Sequence, residues 1–363
     1  MRRISKEQLV HTALMGLARR AGPGGKLPTV RHLCKILSTS PTTIDRVLRR
    51  MESDRVLNRI QGSGLYVAPQ FNQRRIAVVF GPDITDSARY SQFWWLLHGA
   101  ASRLAGIHGD ELRTYFGCPN PGNEKLDPSS YSLSEDVAGH KLSGILTFGI
   151  GDRERIEWLK RSQAPLVAFS NPGYPDAVVD LDARKNIQEG LLALRKRGCR
   201  RIAIVWFGER EGLNPDADAF RESIRQAIRE IPMDETTIDC WASGDLLAGM
   251  SWKSLEDASA HIIHRQLGKG KIDGILFNDD TMAHGGIIAM LEAGIMPGRD
   301  IQTASLTHTG SSLLRAFHKY LIRIEIDPNE IVEGMFSLLG MLIQGINLPS
   351  RLVIVRPTVH LPA

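Results

Sequence analysis

The sequence predicts an α/β protein in two parts: a small helix-turn-helix module closed by a strand hairpin, and a larger region of parallel sheets folded as two lobes. Three observations carry this. From position 75 to the C-terminus, strand-like apolar runs alternate with helical segments of about 12 residues, the pattern of parallel sheets covered on both faces. The first 68 residues lack that alternation and hold three short amphipathic helices and a glycine-tipped hairpin. Charge follows the same division. Residues 1–75 carry 15 Lys and Arg against 4 Asp and Glu, a net +11, whereas the remainder carries 30 against 36. A basic module joined to a mildly acidic one is expected to meet a polyanion, the alternative being a solvated basic face.

Composition narrows the class. At 363 residues, with 42% hydrophobic and 23% charged, the chain is long enough for two or three domains with cores of their own. No run of about 18 apolar residues occurs, so a membrane span is not expected, and the polar N-terminus lacks the apolar stretch of a signal peptide. Cys34, Cys118, Cys199 and Cys240 are widely spaced without a CxxC pair, which fits reduced thiols in a cytoplasmic protein. The boundaries read as 1–68 for the basic module, 69–74 for a polar linker and 75–363 for the larger region.

In the module, a first helix over 5–20 places Leu9, Ala13, Leu14, Leu17 and Ala18 on one face, with Ser5 as N-cap, and Gly22-Pro23-Gly24-Gly25 ends it. A second helix follows Pro28 with Val30, Leu33, Cys34 and Leu37 inward. Ser40 as N-cap and Pro41 at the first helical position open a third helix to about Ser53. Its Ile44, Val47, Leu48 and Met51 point inward, and Thr42, Thr43, Asp45, Arg46, Arg49 and Arg50 outward. Strands around Leu57–Ile60 and Leu65–Val67 flank Gln61-Gly62-Ser63-Gly64. Such a helix pair places side chains in a DNA major groove, and a glycine turn lets backbone approach phosphates or the minor groove.

The stretch LPTVRHLCKILSTSPTTIDRVLRRMESDRVLNRIQGSGLYVA strongly resembles the winged helix-turn-helix of GntR-type transcriptional regulators. That resemblance implies Arg31, Thr42, Thr43, Gln61 and Gly62 as DNA contacts, with helix capping as the alternative for the threonines. Pro41 and Asp45 stand where well-known members carry arginines. An aspartate there can accept from cytosine N4 but repels phosphate, so Arg46, Arg49 and Arg50 are expected to supply phosphate contacts.

In the larger region the predicted strands are Ile76–Phe80, Leu112–Phe116, Gly144–Phe148, Leu166–Phe169, Val178–Asp180, Ile202–Phe207, Thr237–Trp241, Gly274–Phe277, Gln302–Leu306, Ile322–Ile326 and Leu352–Val355. Helices between them include Phe93–Ala105, Arg184–Arg197, Ala217–Glu230 and Asp280–Ala293. Two sheets in series give two lobes, with a ligand cleft at the strand C-termini. GILFNDDTMAHGGIIAMLEAGIMPGRDI, RKRGCRRIAIV and Lys141–Gly149 resemble elements of the LacI/GalR-type sensor, which is similar to periplasmic sugar-binding proteins. The resemblance implies a small-molecule effector between the lobes, a sugar or polyol, and a homodimer on double-stranded operator DNA.

Strand ends supply the effector candidates. Tyr90, Gln92, Phe93 and Trp94 offer an aromatic face with polar groups, unless Phe93 and Trp94 are core. Asp279 and Asp280 close a strand and open a helix; N-capping is the other reading. The resemblance implies that the aspartate touches ligand hydroxyls. Ser170, Asn171, Asp182, Asp245 and Glu325 lie at other strand ends, and Asp216 stands where the family has a ligand-facing arginine. Thr307-His308 replace an expected acidic pair. An added Asp279 and a lost arginine make the cleft more acidic than is usual, which gives weight to an amino-bearing ligand.

No GxxxxGK, GxSxG or HExxH motif occurs, so no enzyme, metal or cofactor is expected. His261 and His264 read as helix-surface residues. Taken together, the sequence predicts a transcriptional regulator, most simply a repressor. The alternatives are a stand-alone ligand-binding protein or a sugar-acting enzyme.

Overall fold

The computed structural model describes residues 6–69, 71, 73–81, 91–117, 131–170, 175–208, 215–231, 236–247, 253–269 and 272–362. Two compact units result, Met1–Arg74 and Arg75–Ala363.

The N-terminal unit contains α1 (Lys6–Ala21), α2 (Val30–Ile36), α3 (Pro41–Ser53) and the antiparallel hairpin of β1 (Leu57–Ile60) and β2 (Gly64–Val67). Sequence chemistry sets these boundaries. Thr29 caps α2 by accepting from the His32 backbone N–H, and Ser40 caps α3 by accepting from that of Thr43. Gly62 sits at φ 75° in the wing tip, a left-handed conformation that glycine adopts without a Cβ clash. The core joins Leu14 and Ala18 to Leu33, to Ile44, Val47, Leu48 and Met51, and to Leu57, Leu65 and Val67. Burying each fully enclosed leucine contributes roughly 1.5–3 kcal/mol. Two expectations differ. Leu9 is 57% exposed and Val10 is buried in its place, while Leu14 and Ala18 keep the predicted face. Phe71, inside the segment read as a linker, is buried in this core, so the unit extends past residue 68. Ser5 lies outside the described residues.

The second unit has two six-stranded sheets. Its elements in chain order are β3 (Arg75–Phe80), α4 (Phe93–His108), β4 (Glu111–Phe116), α5 (Tyr131–Ala138), β5 (Gly144–Phe148), α6 (Arg153–Leu159), β6 (Leu166–Phe169) and β7 (Ala177–Leu181). There follow α7 (Ala183–Lys196), β8 (Arg201–Trp206), α8 (Pro215–Glu230), β9 (Thr237–Ala242), α9 (Ser243–Leu246), α10 (Leu255–Gln266), β10 (Gly274–Phe277), α11 (Asp280–Glu292), β11 (Gln302–His308) and β12 (Leu321–Ile326). The chain closes with α12 (Pro328–Ile343), β13 (Leu352–Val355) and β14 (Thr358–His360).

Strand order is β13-β7-β6-β5-β3-β4 in the first lobe and β14-β12-β11-β10-β8-β9 in the second. Every predicted strand is present, within two residues at either end. The expectation of sheets in series is corrected. After β12 the chain returns to the first lobe, where β13 pairs in parallel with β7, and it then crosses again to place β14 antiparallel on β12. The reason is α12. Its Ile331, Val332, Met335, Phe336, Leu338 and Leu339 form one apolar face that fits the uncovered side of the first sheet, against Val167, Phe169 and Val179. Three crossings therefore join the lobes, between β7 and α7, β12 and α12, and β13 and β14. Among the described residues, no helix is long and apolar enough to cross a membrane.

Helices α10 and α11 cross closely on the second sheet. A Cβ on Gly285 would lie 2.2 Å from the Glu256 carbonyl oxygen, so only glycine permits this approach. Gly285→Ala is expected to force the helices apart and destabilise the larger unit by about 1–3 kcal/mol. Urea denaturation followed by tryptophan fluorescence measures this, and an unchanged midpoint would contradict the tight crossing.

Candidate nucleic-acid interface and ligand cavity

On the N-terminal unit, Arg31, Thr42, Arg46, Arg49, Arg50, Gln61 and Gly62 are exposed, on α2, α3 and the wing tip. Thr43 is half-buried, and its hydroxyl lies 2.9 Å from that of Ser40, within the cap of α3. Capping by Ser40, which accepts from the Thr43 N–H at 3.2 Å, thus engages Thr43 and leaves Thr42 open.

Asp45 has a different surrounding from the one expected of a base-reading carboxylate. Arg59 on β1 donates to its Oδ1 at 2.6 Å, and Arg49 approaches its Oδ2 at 2.8 Å. Arg59 also pairs with Glu52 at 3.0 Å. Both Asp45 oxygens are therefore engaged with arginines instead of standing open for a cytosine, and the carboxylate ties the wing to α3. The Arg59 hydrogen bond is the main cause that holds the Asp45 carboxyl below the usual carboxylate range. Arg46 similarly bridges to Glu7 of α1. These pairs are exposed, so each contributes little and exchanges readily for a phosphate. Arg59 was missed in the sequence, although an arginine two residues after Leu57 on a predicted strand shares that residue's face and calls for a partner.

In the second unit, parallel pairing brings the strand C-termini of each lobe to one edge. Asp279 follows β10 and caps α11, accepting from the Thr281 N–H at 2.8 Å and the Met282 N–H at 3.3 Å. Capping thus falls to Asp279, which releases Asp280. That residue is 1% exposed, and no well-formed hydrogen bond reaches either of its oxygens. His308, at the end of β11 and 5% exposed, has its Nδ1 3.3 Å from Asp280 Oδ2. Burial and then the neighbouring Asp280 charge push the Asp279 carboxyl up. For Asp280, burial opposes ionisation, but the His308 ring outweighs it and holds the carboxyl low.

The first lobe closes over this group. The Phe93 ring stacks on His308 at 4.3 Å between centroids and 22° between planes. The Ser311 hydroxyl lies 3.2 Å from Gln92 Oε1, and Trp94 packs behind Phe93. Next to it is a cavity of about 160 Å³, lined by Asp280, Thr307, His308, Ser311, Arg323 and Glu325 among others. That is less than the roughly 300–1,000 Å³ of most ligand pockets, and suits a small fragment or one end of a ligand.

The structure thus gathers Gln92, Phe93, Asp279, Asp280 and Glu325 in one place, with Trp94 behind them. Asp182 is instead spent on capping α7, accepting from the Lys185 N–H at 2.9 Å. Asp245 follows β9, two strands from β10, and pairs with Arg221 at 2.7 Å. Tyr90, Asn171 and the Asp216 side chain lie outside the described residues. The neighbouring Ser170 donates to Asp180 at 2.6 Å. Within the cavity lining Arg323 binds Glu325 at 2.5 Å and offsets that carboxylate's charge. His308 and Arg323 are the residues that sequence reasoning missed. Strand β11 runs two residues past its expected end, and that extension carries His308 to the cavity. His261 and His264 lie partly exposed on α10, pairing separately with Asp257 and Glu292.

Comparison with known proteins agrees with this division. Residues 17–67 match the family profile described as bacterial regulatory proteins, gntR family. The N-terminal unit is a winged helix of the GntR type. Over 62 residues it is 29% identical to the HTH-type transcriptional repressor YtrA of Bacillus subtilis, a match that covers 17% of this chain and 45% of that repressor. The chain therefore spans less than half the length of that curated relative. A regulatory protein of the LacI family from Chloroflexus aggregans superposes with a TM-score of 0.62 at 17% identity, over 80% of this chain and 97% of the other. A LacI family regulator from Arthrobacter sp. FB24 in complex with lactose gives 0.60 at 15% identity, over 80% and 98%. A CelR–cellobiose complex gives 0.58 at 16% identity, over 99% of each chain. The larger unit thus has the two-lobed fold of LacI-type regulators.

Acid should uncouple the wing from α3. The folded Asp45 carboxyl titrates below its unfolded value, so its contribution is present above the ordinary carboxylate range and is lost as pH falls through the depressed pKa. An NMR titration of the Asp45 side chain should show a midpoint below the reference of about 3.9. A midpoint at or above that reference would show that Arg59 and Arg49 do not hold it.

Proposed function

We propose that this chain is a transcriptional regulator acting as a repressor, a cytoplasmic homodimer whose operator affinity is set by a small polyhydroxylated ligand held beside Asp280. The observation that carries this reading is the joining, in one chain, of a GntR-type winged helix with exposed basic residues on its recognition helix and a two-lobed unit with a polar cavity at its strand ends. The relative named as a repressor supports the sign of regulation, and the lactose and cellobiose complexes support a sugar or polyol. The chain acts by binding, not by catalysis.

In this mechanism two winged helices engage the halves of a near-palindromic operator, with Arg31, Thr42 and Gln61-Gly62 at the bases and grooves, and Arg46, Arg49 and Arg50 on phosphates. Asp45 orients Arg49 and Arg59 for that contact. Ligand at Asp280, Glu325 and Gln92 draws the lobes together around the Phe93–His308 stack and shifts the dimer. A coupling of about 1–3 kcal/mol changes operator affinity roughly 5–150-fold.

Selection from a random duplex library should enrich an inverted repeat with half-sites separated by about one helical turn or a multiple of it. A lone half-site would overturn the dimeric reader. On the selected duplex, the Arg46→Ala, Arg49→Ala double variant should bind more weakly, with its salt slope reduced by about 2. Unchanged affinity would remove α3 from the interface. A thermal-shift screen of sugars and polyols should find a stabilising ligand, and Asp280→Asn should abolish its effect on DNA binding. A full response in that variant would take Asp280 out of the effector site.

A further inference from the structure

Among the buried polar atoms of the larger unit that lack a hydrogen bond, three sit together on two ionisable side chains. Asp280 Oδ1 and Oδ2 and His308 Nδ1 are buried without a hydrogen bond of acceptable geometry, on residues 1% and 5% exposed. Buried polar atoms of this kind are ordinarily satisfied by a partner, water or an ion. Ligand atoms of Asp279, Asp280 and His308 all lie within 4.8 Å of one another. The 3.3 Å between His308 Nδ1 and Asp280 Oδ2 is long for a charge-assisted hydrogen bond, which falls near 2.7–2.9 Å. It also matches the spacing of two ligands on one ion, since bonds of about 2.0–2.1 Å at a tetrahedral angle put their ends about 3.3 Å apart.

We propose that Asp279, Asp280 and His308 form a binding site for a divalent first-row transition-metal ion. One imidazole with two carboxylates is a donor set for zinc or manganese, whereas calcium and magnesium favour all-oxygen sites. Oδ1 of Asp279 is occupied by capping α11, and the Ser91 hydroxyl also reaches this carboxylate, so an ion on its second oxygen would compete with or share that hydroxyl. Asp280 and His308 also line the adjacent cavity, from which a water or a ligand oxygen could complete the donor set. Phe93 stacks on the His308 ring, so an ion on Nδ1 also fixes the group on which the first lobe rests. The inference does not depend on the regulator reading, because it concerns occupancy of these three side chains and is measured without DNA.

The experiment is calorimetric titration of the chelator-stripped full chain with zinc chloride, followed by visible absorption on titration with cobalt chloride as a spectroscopic substitute. One ion per chain is expected, bound at micromolar or tighter Kd, with cobalt ligand-field bands in the visible. Asp280→Asn and His308→Gln should each weaken binding at least about 100-fold and remove the bands, with thermal melting confirming that both variants fold. His261→Gln and His264→Gln control for adventitious binding on α10 and should leave the affinity as it was. Three results overturn the proposal: no saturable binding below millimolar zinc, affinity retained in folded Asp280→Asn and His308→Gln, or loss of binding in the α10 variants alone. The first would leave Asp280 and His308 as a buried ion pair. DNA binding measured on the same preparation separates a failure of this site from a failure of the regulator reading.

Discussion

Every strand pairing in the larger unit except that of β12 with β14 is parallel, and that single constraint decides where chemistry can occur. Parallel pairing sends the C-terminal ends of a sheet's strands to one edge. Residues that end strands thereby become neighbours although they are far apart in sequence. Asp280 and His308 meet across 28 positions of sequence because β10 and β11 lie side by side. Phe93 joins them from the first lobe, 215 positions before His308, because helix α4 begins at the corresponding end of that lobe.

The three crossings give the two lobes a shared fate. Helix α12 and strand β13 complete the first lobe after most of the second, and β14 completes the second after them, so neither lobe is a contiguous piece of chain. Contacts between lobes, such as Phe93 on His308 and Ser311 on Gln92, are consequently the ones free to change while the sheets stay intact. A ligand or ion that alters the His308 ring acts directly on the place where the first lobe rests. This is the physical content of an effector response in such a fold: a small change at the junction of two rigid layers.

In the N-terminal unit, electrostatics is balanced in a way that net charge conceals. Four acidic residues among the first 75 are few, yet all of them, Glu7, Asp45, Glu52 and Asp54, pair with arginines. Their pairs are exposed and weak, and they orient guanidinium groups along α3 and the wing at little cost to their release. Asp45, which reads in the sequence as a departure from a basic pattern, thereby takes the part of a positioning group.

Local order is legible in the amino-acid sequence: three helices and a hairpin capped by Ser40 and turned at Gly62, then alternating strands and helices with nearly the observed limits. Apolar periodicity and capping chemistry act over a few residues, so they are legible without a fold. The sequence also marked Asp279, Asp280, Glu325, Gln92 and Phe93, because strand ends can be recognised one at a time. Tertiary structure alone decided which of these meet. Asp182 and Asp245 share the same local signature, yet one is consumed by capping α7 and the other by Arg221, since partners across a sheet are set by strand order and not by sequence distance. The return of α12 to the first lobe was equally hidden. Its apolar face states that it must be covered, but only the assembled sheets determine which surface is left to cover it.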